Sequence, residues 1–173
     1  AESTGKSSMV RFLFFCGMTM VPEWGRTICE ARTELNTKDF IDILTTQQTL
    51  LLHAARECKN GIIICDTEAI TTKLFADVYK INQTGDFKAL AHILIDEFQD
   101  FDLYLVLAPT VPFVQDGTRV LDSMSRVQFH NDLITTLRSK KKPFVVINET
   151  DYKARKIACL AHVNDAVSKK LKW

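Results

Sequence analysis

The segment Glu2-Ser3-Thr4-Gly5-Lys6-Ser7 is the second half of the pattern G-x-x-x-x-G-K-[ST], and it constrains the fold more than any other stretch. The pattern works only where a strand delivers the chain into a tight Gly turn and a helix leaves it. Successive backbone N–H groups then face a polyphosphate, and the helix adds the partial positive charge of its N-terminus. Lys6 reaches the terminal phosphates and the Ser7 hydroxyl holds Mg²⁺. The first Gly of the pattern would fall one residue before Ala1, so the sequence is expected to be an excerpt of a longer chain that supplies that Gly and its strand.

A chain of 173 residues with 46% hydrophobic and 25% charged residues can bury a sizeable core, and one domain over 1–173 is expected. Lys and Arg number 22 against 21 Asp and Glu, a formal net charge of +1, which argues against a nucleic-acid-binding surface. The run Lys140-Lys141-Lys142 reads as a solvated turn before a strand. Cys16, Cys29, Cys58, Cys65 and Cys159 are odd in number and lack C-x-x-C spacing, which points away from a zinc site or a secreted disulfide framework. Reduced thiols in a cytoplasm fit them. No apolar stretch approaches membrane-spanning length, so no membrane partner is expected.

Short apolar runs alternate with longer segments of helical period. Val10 to Phe15 continues the helix after the phosphate loop, and Thr19-Met20-Val21 ends as a strand at Pro22-Glu23. The positions Ile41, Leu44, Leu51, Leu52 and Ala55 recur at helical spacing after Phe40. Ile62 to Cys65 reads as a strand buried on both faces, with Phe101 to Leu107 and Phe144 to Ile147 of the same character. Ile157, Leu160, Ala161, Val167 and Leu171 predict a terminal helical stripe. This alternation predicts an α/β fold of the P-loop type, a parallel sheet flanked by helices on both faces with a short lid. In such sheets ligands bind beyond the carboxyl ends of the strands.

That rule collects polar residues into a candidate site. Glu23 follows one strand, Asp66 a second, and the segment from Pro109 to Arg119 a third. Phosphoryl transfer needs a carboxylate that positions Mg²⁺, an acceptor for the proton of the attacking hydroxyl, and Arg side chains on the transferring group. Arg119 and Arg126 lie in a polar, lid-like stretch, although a solvated helix face would also hold them. Trp24 either stacks on a flat ring or serves as a core aromatic.

The blocks Glu2 to Ser7, Pro22-Glu23-Trp24-Gly25-Arg26, Asp66-Thr67-Glu68-Ala69-Ile70-Thr71-Thr72 and Asp116-Gly117-Thr118-Arg119 together resemble the ribosylnicotinamide kinase domain of the NadR family. They occur in the family's order and nearly span the chain. The first block is shared by many ATP-binding proteins, whereas the aspartate-threonine block and the Asp-Gly-x-Arg lid are more specific. The stretch Arg126-Val127-Gln128-Phe129 resembles the family's lid helix, and Tyr152 with Arg155 the loop near the nucleotide base.

The resemblance implies transfer of the γ-phosphate of ATP to the 5′-hydroxyl of nicotinamide riboside. It assigns Glu2, Ser3, Thr4, Gly5, Lys6, Ser7 and Ser8, with Tyr152 and Arg155, to ATP, and Ser7 with Asp66 to Mg²⁺. Glu23, Trp24, Arg26, Asp66, Thr67 and Asp116 would serve the acceptor. Lys6, Asp66, Glu23, Arg119 and Arg126 would act in catalysis, with Asp66 the main acid and the two arginines clamping phosphates under a closed lid. Family members often carry an upstream nicotinamide mononucleotide adenylyltransferase domain, so a fusion of that kind is compatible with the resemblance. Two other readings stand beside it: a regulatory module that binds ATP or a nicotinamide nucleotide without turnover, and a P-loop kinase for another nucleoside.

Overall fold

In the computed structural model the described residues are 4–81, 83, 85–112 and 124–171, and they form two compact units. The first unit comprises Phe14–Asp100, and the second Ala1–Leu13 with Phe101–Trp173.

In the first unit, β1 (Thr19–Val21) and β2 (Ile63–Cys65) pair in parallel, with Val21 opposite Cys65. The crossover between them carries α2 (Trp24–Ala31) and α3 (Thr37–Glu57). The start of α3 is fixed by a capping box: the Asn36 side chain accepts from the backbone N–H groups of Lys38 and Asp39, and the Asp39 carboxylate accepts from that of Asn36. Its buried face runs through Phe40, Ile43 and Leu44 and then continues with Gln47 and Gln48. This differs from the expected apolar stripe. Leu52 is 49% exposed and Ala55 is also exposed, because the helix turns its C-terminal half to solvent while two glutamines occupy the buried side. The strand β2 is half-buried along its length, not buried on both faces; its apolar run marked the strand but not its depth.

After β2 come α4 (Ala69–Val78), α5 (Gly85–Ile93) and a π-helical turn over Leu94–Phe98. Phe40 packs edge-to-face on Phe87, 6.3 Å between ring centroids, in a core with Leu44, Ile70 and Ala76. Each such large side chain contributes about 1.5–3 kcal/mol on burial.

In the second unit, α1 (Lys6–Phe15), which belongs to it as far as Leu13, follows the phosphate loop, and β3 (Tyr104–Leu107) pairs in parallel with β4 (Phe144–Ile147) across α6 (Ser125–Ser139). The strand expected from Phe101 begins only at Tyr104. Lys140 and Lys141 are exposed in the turn before β4, as expected for the basic run. The chain ends on α7 (Tyr152–Lys170), where the expected stripe is displaced around the helix. Ile157 is 61% and Leu171 81% exposed, and the buried positions are Arg155, Cys159 and Val163, spaced by four. A buried arginine belongs to that face, and an apolar-only count skips it. Met9, Leu107, Ile147 and Cys159 form the core here. Among the described residues no helix is long and apolar enough to cross a membrane.

Candidate functional site

The phosphate-loop residues lie at the start of α1. Gly5 has φ +80, a left-handed conformation that L side chains rarely adopt, and its carbonyl accepts the first helical hydrogen bond from Met9 N–H at 3.0 Å. Thr4 is buried, Lys6 and Ser7 are half-buried, and Ser8 is exposed. Glu2, Ser3, Asp116 and Arg119 lie outside the described residues, as does most of the lid-like stretch.

The first turns of α7 hold this loop from behind. A Cβ added to Gly5 would stand 2.7 Å from Cε1 of Tyr152, so the tyrosine ring lies directly against the loop. Arg155 is fully buried and donates from Nη1 to the Thr4 carbonyl at 2.7 Å. Its Nη2 reaches the carbonyls of Ala108 at 3.1 Å and Glu149 at 2.7 Å, and Nε also donates to Glu149 at 3.0 Å. Thr110 Oγ1 accepts at 2.5 Å. Burial pushes the guanidinium pKa below its ordinary value. Arg155, which the resemblance assigns to ATP, is wholly buried in this conformation and ties the phosphate loop to the segments that follow β3 and β4. Arg126 is also buried, and its Nη2 donates to the carbonyls of Pro109 at 3.1 Å and Val111 at 2.8 Å. Its guanidinium braces the segment after β3 in this conformation.

In the unit that carries β1 and β2, the parallel register places Glu23 and Asp66 beyond the same strand ends. Asp66 N–H donates to the Val21 carbonyl at 3.0 Å and extends the ladder by one bond. Glu23 precedes α2 and lies 3.7 Å from the Arg26 guanidinium, and Trp24 begins the helix. The Trp24 indole Nε1 is buried without a hydrogen-bond partner among the described residues.

The three polar residues after β2 divide their work. Glu68 caps α4: its carboxylate accepts from Ile70 N–H at 2.5 Å, Thr71 N–H at 2.9 Å and the Thr71 hydroxyl at 2.6 Å. Thr67 is buried, and its carbonyl accepts from Cys65 Sγ at 2.8 Å. Burial pushes the Cys65 thiol up to about 12, so it remains a neutral donor. Capping is met by Glu68, and Asp66 is half-buried at the strand end.

Residues that the sequence reading passed over hold these loops. Gln47 accepts from Trp24 N–H at 2.9 Å and donates to the Pro22 carbonyl at 3.0 Å. Gln48 accepts from Gln99, whose own side-chain oxygen accepts from Ala69 N–H, each at 2.9 Å. The signal available was the pair's position on the stripe that Phe40, Ile43 and Leu44 begin.

The AAA domain family matches residues 1–155. The chain belongs to that family. This AAA domain has the P-loop α/β fold, with parallel strands flanked by helices. It is 30% identical over 171 residues to the trifunctional NAD biosynthesis/regulator protein NadR of Escherichia coli strain K12, and likewise to that of Salmonella typhimurium. Each match covers 95% of the chain and 40% of the relative, so the AAA domain spans about 40% of the length of these curated relatives. Among solved structures, the NadR protein in complex with NR is similar at a TM-score of 0.70 and 25% identity, over 98% of this chain and 48% of that one. The NadR protein in complex with NAD and AMP-PNP follows at 0.68 and 26%, over 96% and 46%.

Proposed function

We propose that this chain transfers the terminal phosphate of ATP to the 5′-hydroxyl of nicotinamide riboside (NR), giving nicotinamide mononucleotide for NAD salvage. The observation that carries the reading is the likeness, over 98% of the chain, to a NadR protein in complex with NR. A related NadR structure contains the ATP analogue AMP-PNP, which supports ATP as donor.

In this reading the turn at Gly5 presents backbone N–H groups to the donor phosphates, and Lys6 neutralises their charge. Asp66 orients the acceptor hydroxyl and takes its proton, with Glu23 beside the same strand ends. Trp24, Arg26 and Thr67, next to Glu23 and Asp66 in sequence, would serve the acceptor, and the resemblance alone assigns Asp116 to it. The resemblance assigns Arg119 to the phosphates, which its guanidinium would clamp.

Among the described residues no cluster of three or more His, Cys, Asp or Glu could hold a metal ion. Mg²⁺ takes few protein ligands and keeps water and phosphate oxygens in its shell. Ser7 would hold it through its hydroxyl, and when bound it supplies charge neutralisation at the phosphates.

The test is ADP release from Mg-ATP with NR, and separately with thymidine, adenosine and uridine. Strongest turnover with NR is expected; strongest turnover with another nucleoside overturns the acceptor assignment. Asp66→Asn should lower kcat by roughly two to four orders of magnitude while ATP still binds, and unchanged turnover would move the role to Glu23. A second reading, a nucleotide-binding regulator without turnover, draws on the regulator in the relatives' name and on the NAD in one neighbour. Binding of ATP with no ADP release from any nucleoside would establish it.

A further inference from the structure

Gln47 is 2% exposed on α3 and touches the backbone on either side of Glu23. Its Nε2 donates to the carbonyl of Pro22, the residue before, at 3.0 Å, and its Oε1 accepts from the N–H of Trp24, the residue after, at 2.9 Å. The same Nε2 lies 3.5 Å from Sγ of Cys65, the residue before Asp66, and that thiol donates onward to the Thr67 carbonyl. The amide's orientation is dictated by its partners, since a carbonyl can only accept and a backbone N–H can only donate. One side chain therefore fixes both turns that carry the candidate acids.

We propose that Gln47 is a positioning residue for phosphoryl transfer, which sets the placement of Glu23 and Asp66 against the acceptor hydroxyl without touching either substrate. The role rests on the kinase reading. A displacement of about 1 Å in a reacting group lowers rates by up to roughly a hundredfold, and a glutamine that held the loops only for stability would not act on turnover selectively.

Gln47→Met keeps the volume and removes every hydrogen bond, and Gln47→Glu keeps the acceptor for Trp24 N–H while losing the donor to Pro22. Initial rates with Mg-ATP and NR, at a temperature where circular dichroism shows each variant fully folded, should give a kcat about 10- to 100-fold lower for Gln47→Met. Gln47→Glu should fall between that variant and the unsubstituted chain. KM for ATP should stay within about twofold, because the phosphate-loop residues are untouched. Asn36→Ala, which removes the cap of the same helix, should lower the melting temperature and leave kcat unchanged. If Gln47→Met does not fold, Gln47→Glu carries the comparison.

A kcat within about twofold of the unsubstituted chain in a folded Gln47 variant overturns the positioning role alone. The same holds if Asn36→Ala lowers kcat as much. Absence of ADP release by the unsubstituted chain with every nucleoside overturns the kinase reading, and the positioning role with it.

Discussion

Gly5→Ala perturbs the phosphate loop in two ways that can be separated. The first is in the backbone: at φ +80 an Ala residue is strained by about 1–2 kcal/mol. The smaller unfolded-state entropy of Ala returns about 0.4–1 kcal/mol, leaving a net loss of about 1 kcal/mol. The second is steric, because the new Cβ meets Tyr152 Cε1 at 2.7 Å and Cζ at 3.5 Å. Overpacking costs about 1–3 kcal/mol, and a ring that is 45% exposed can swing aside, so the low end applies. The total is about 2 kcal/mol, of which Tyr152 accounts for about half. Urea unfolding of the unsubstituted chain, Gly5→Ala, Tyr152→Ala and the double variant measures both parts. The cost of Gly5→Ala should drop to about 1 kcal/mol when the ring is absent, a coupling well above the roughly 0.3–0.5 kcal/mol scatter of independent sites. Equal costs in the two backgrounds would refute the contact between ring and loop. A stabilising Gly5→Ala would refute the left-handed turn itself.

Arg155→Met leaves the buried carbonyls of Thr4, Ala108 and Glu149 without this donor, and should cost about 1–3 kcal/mol for each group left unsatisfied, with a rise in KM for ATP; a melting temperature within about 2 °C of the unsubstituted chain would contradict the fastening role. Lys80 (φ 52) and Lys141 (φ 54) occupy left-handed positions after helices, where Ile81 N–H reaches Ala76 and Lys142 N–H reaches Leu137. Replacing either by Gly should add about 0.5–1 kcal/mol in urea unfolding, whereas Ala should add none. Burial raises the thiols of Cys65 to about 12 and Cys159 to about 11 from the ordinary 9.0, so the folded state binds these protons more tightly than the unfolded state. Their contribution is present in full below about pH 9 and is lost as pH rises toward 11–12. Cys159→Ala should therefore show a shallower loss of stability than the unsubstituted chain between pH 9 and 10.5, and parallel curves would contradict it.

The strands and the phosphate loop were legible in the sequence because short apolar runs and a Gly-Lys-Ser turn have local causes. Depth was less so. Ile62 to Cys65 reads as a fully buried strand but is half-buried, since a run of apolar side chains specifies pairing and says little about what covers its faces. The stripes of α3 and α7 were misplaced for a shared reason: Gln47, Gln48 and Arg155 occupy buried positions that a hydrophobic count leaves blank. The role of Glu68 was hidden in the same way, because capping is visible only once the start of α4 is known. Asp66 and Glu23 were singled out by a topological rule, and the register of β1 with β2 puts both just beyond the same strand ends.

Lys6, Ser7, Glu23 and Asp66 are half-buried, whereas Arg155 and Gln47, which bind the backbone of the phosphate loop and the backbone on either side of Glu23, are almost wholly buried. Lys6 and Ser7 follow Thr4, whose carbonyl is bound by Arg155; Glu23 lies between two backbone groups bound by Gln47. A hydrogen bond of this kind adds only about 1 kcal/mol of net stability, yet breaking it in a closed interior costs about 1–3 kcal/mol for each group left unsatisfied. The asymmetry makes such bonds better at excluding wrong loop positions than at stabilising the fold. Polar side chains on buried helix faces are thus a physically sound way to fix a phosphate loop and an acid pair while leaving their outer surfaces available to ligand.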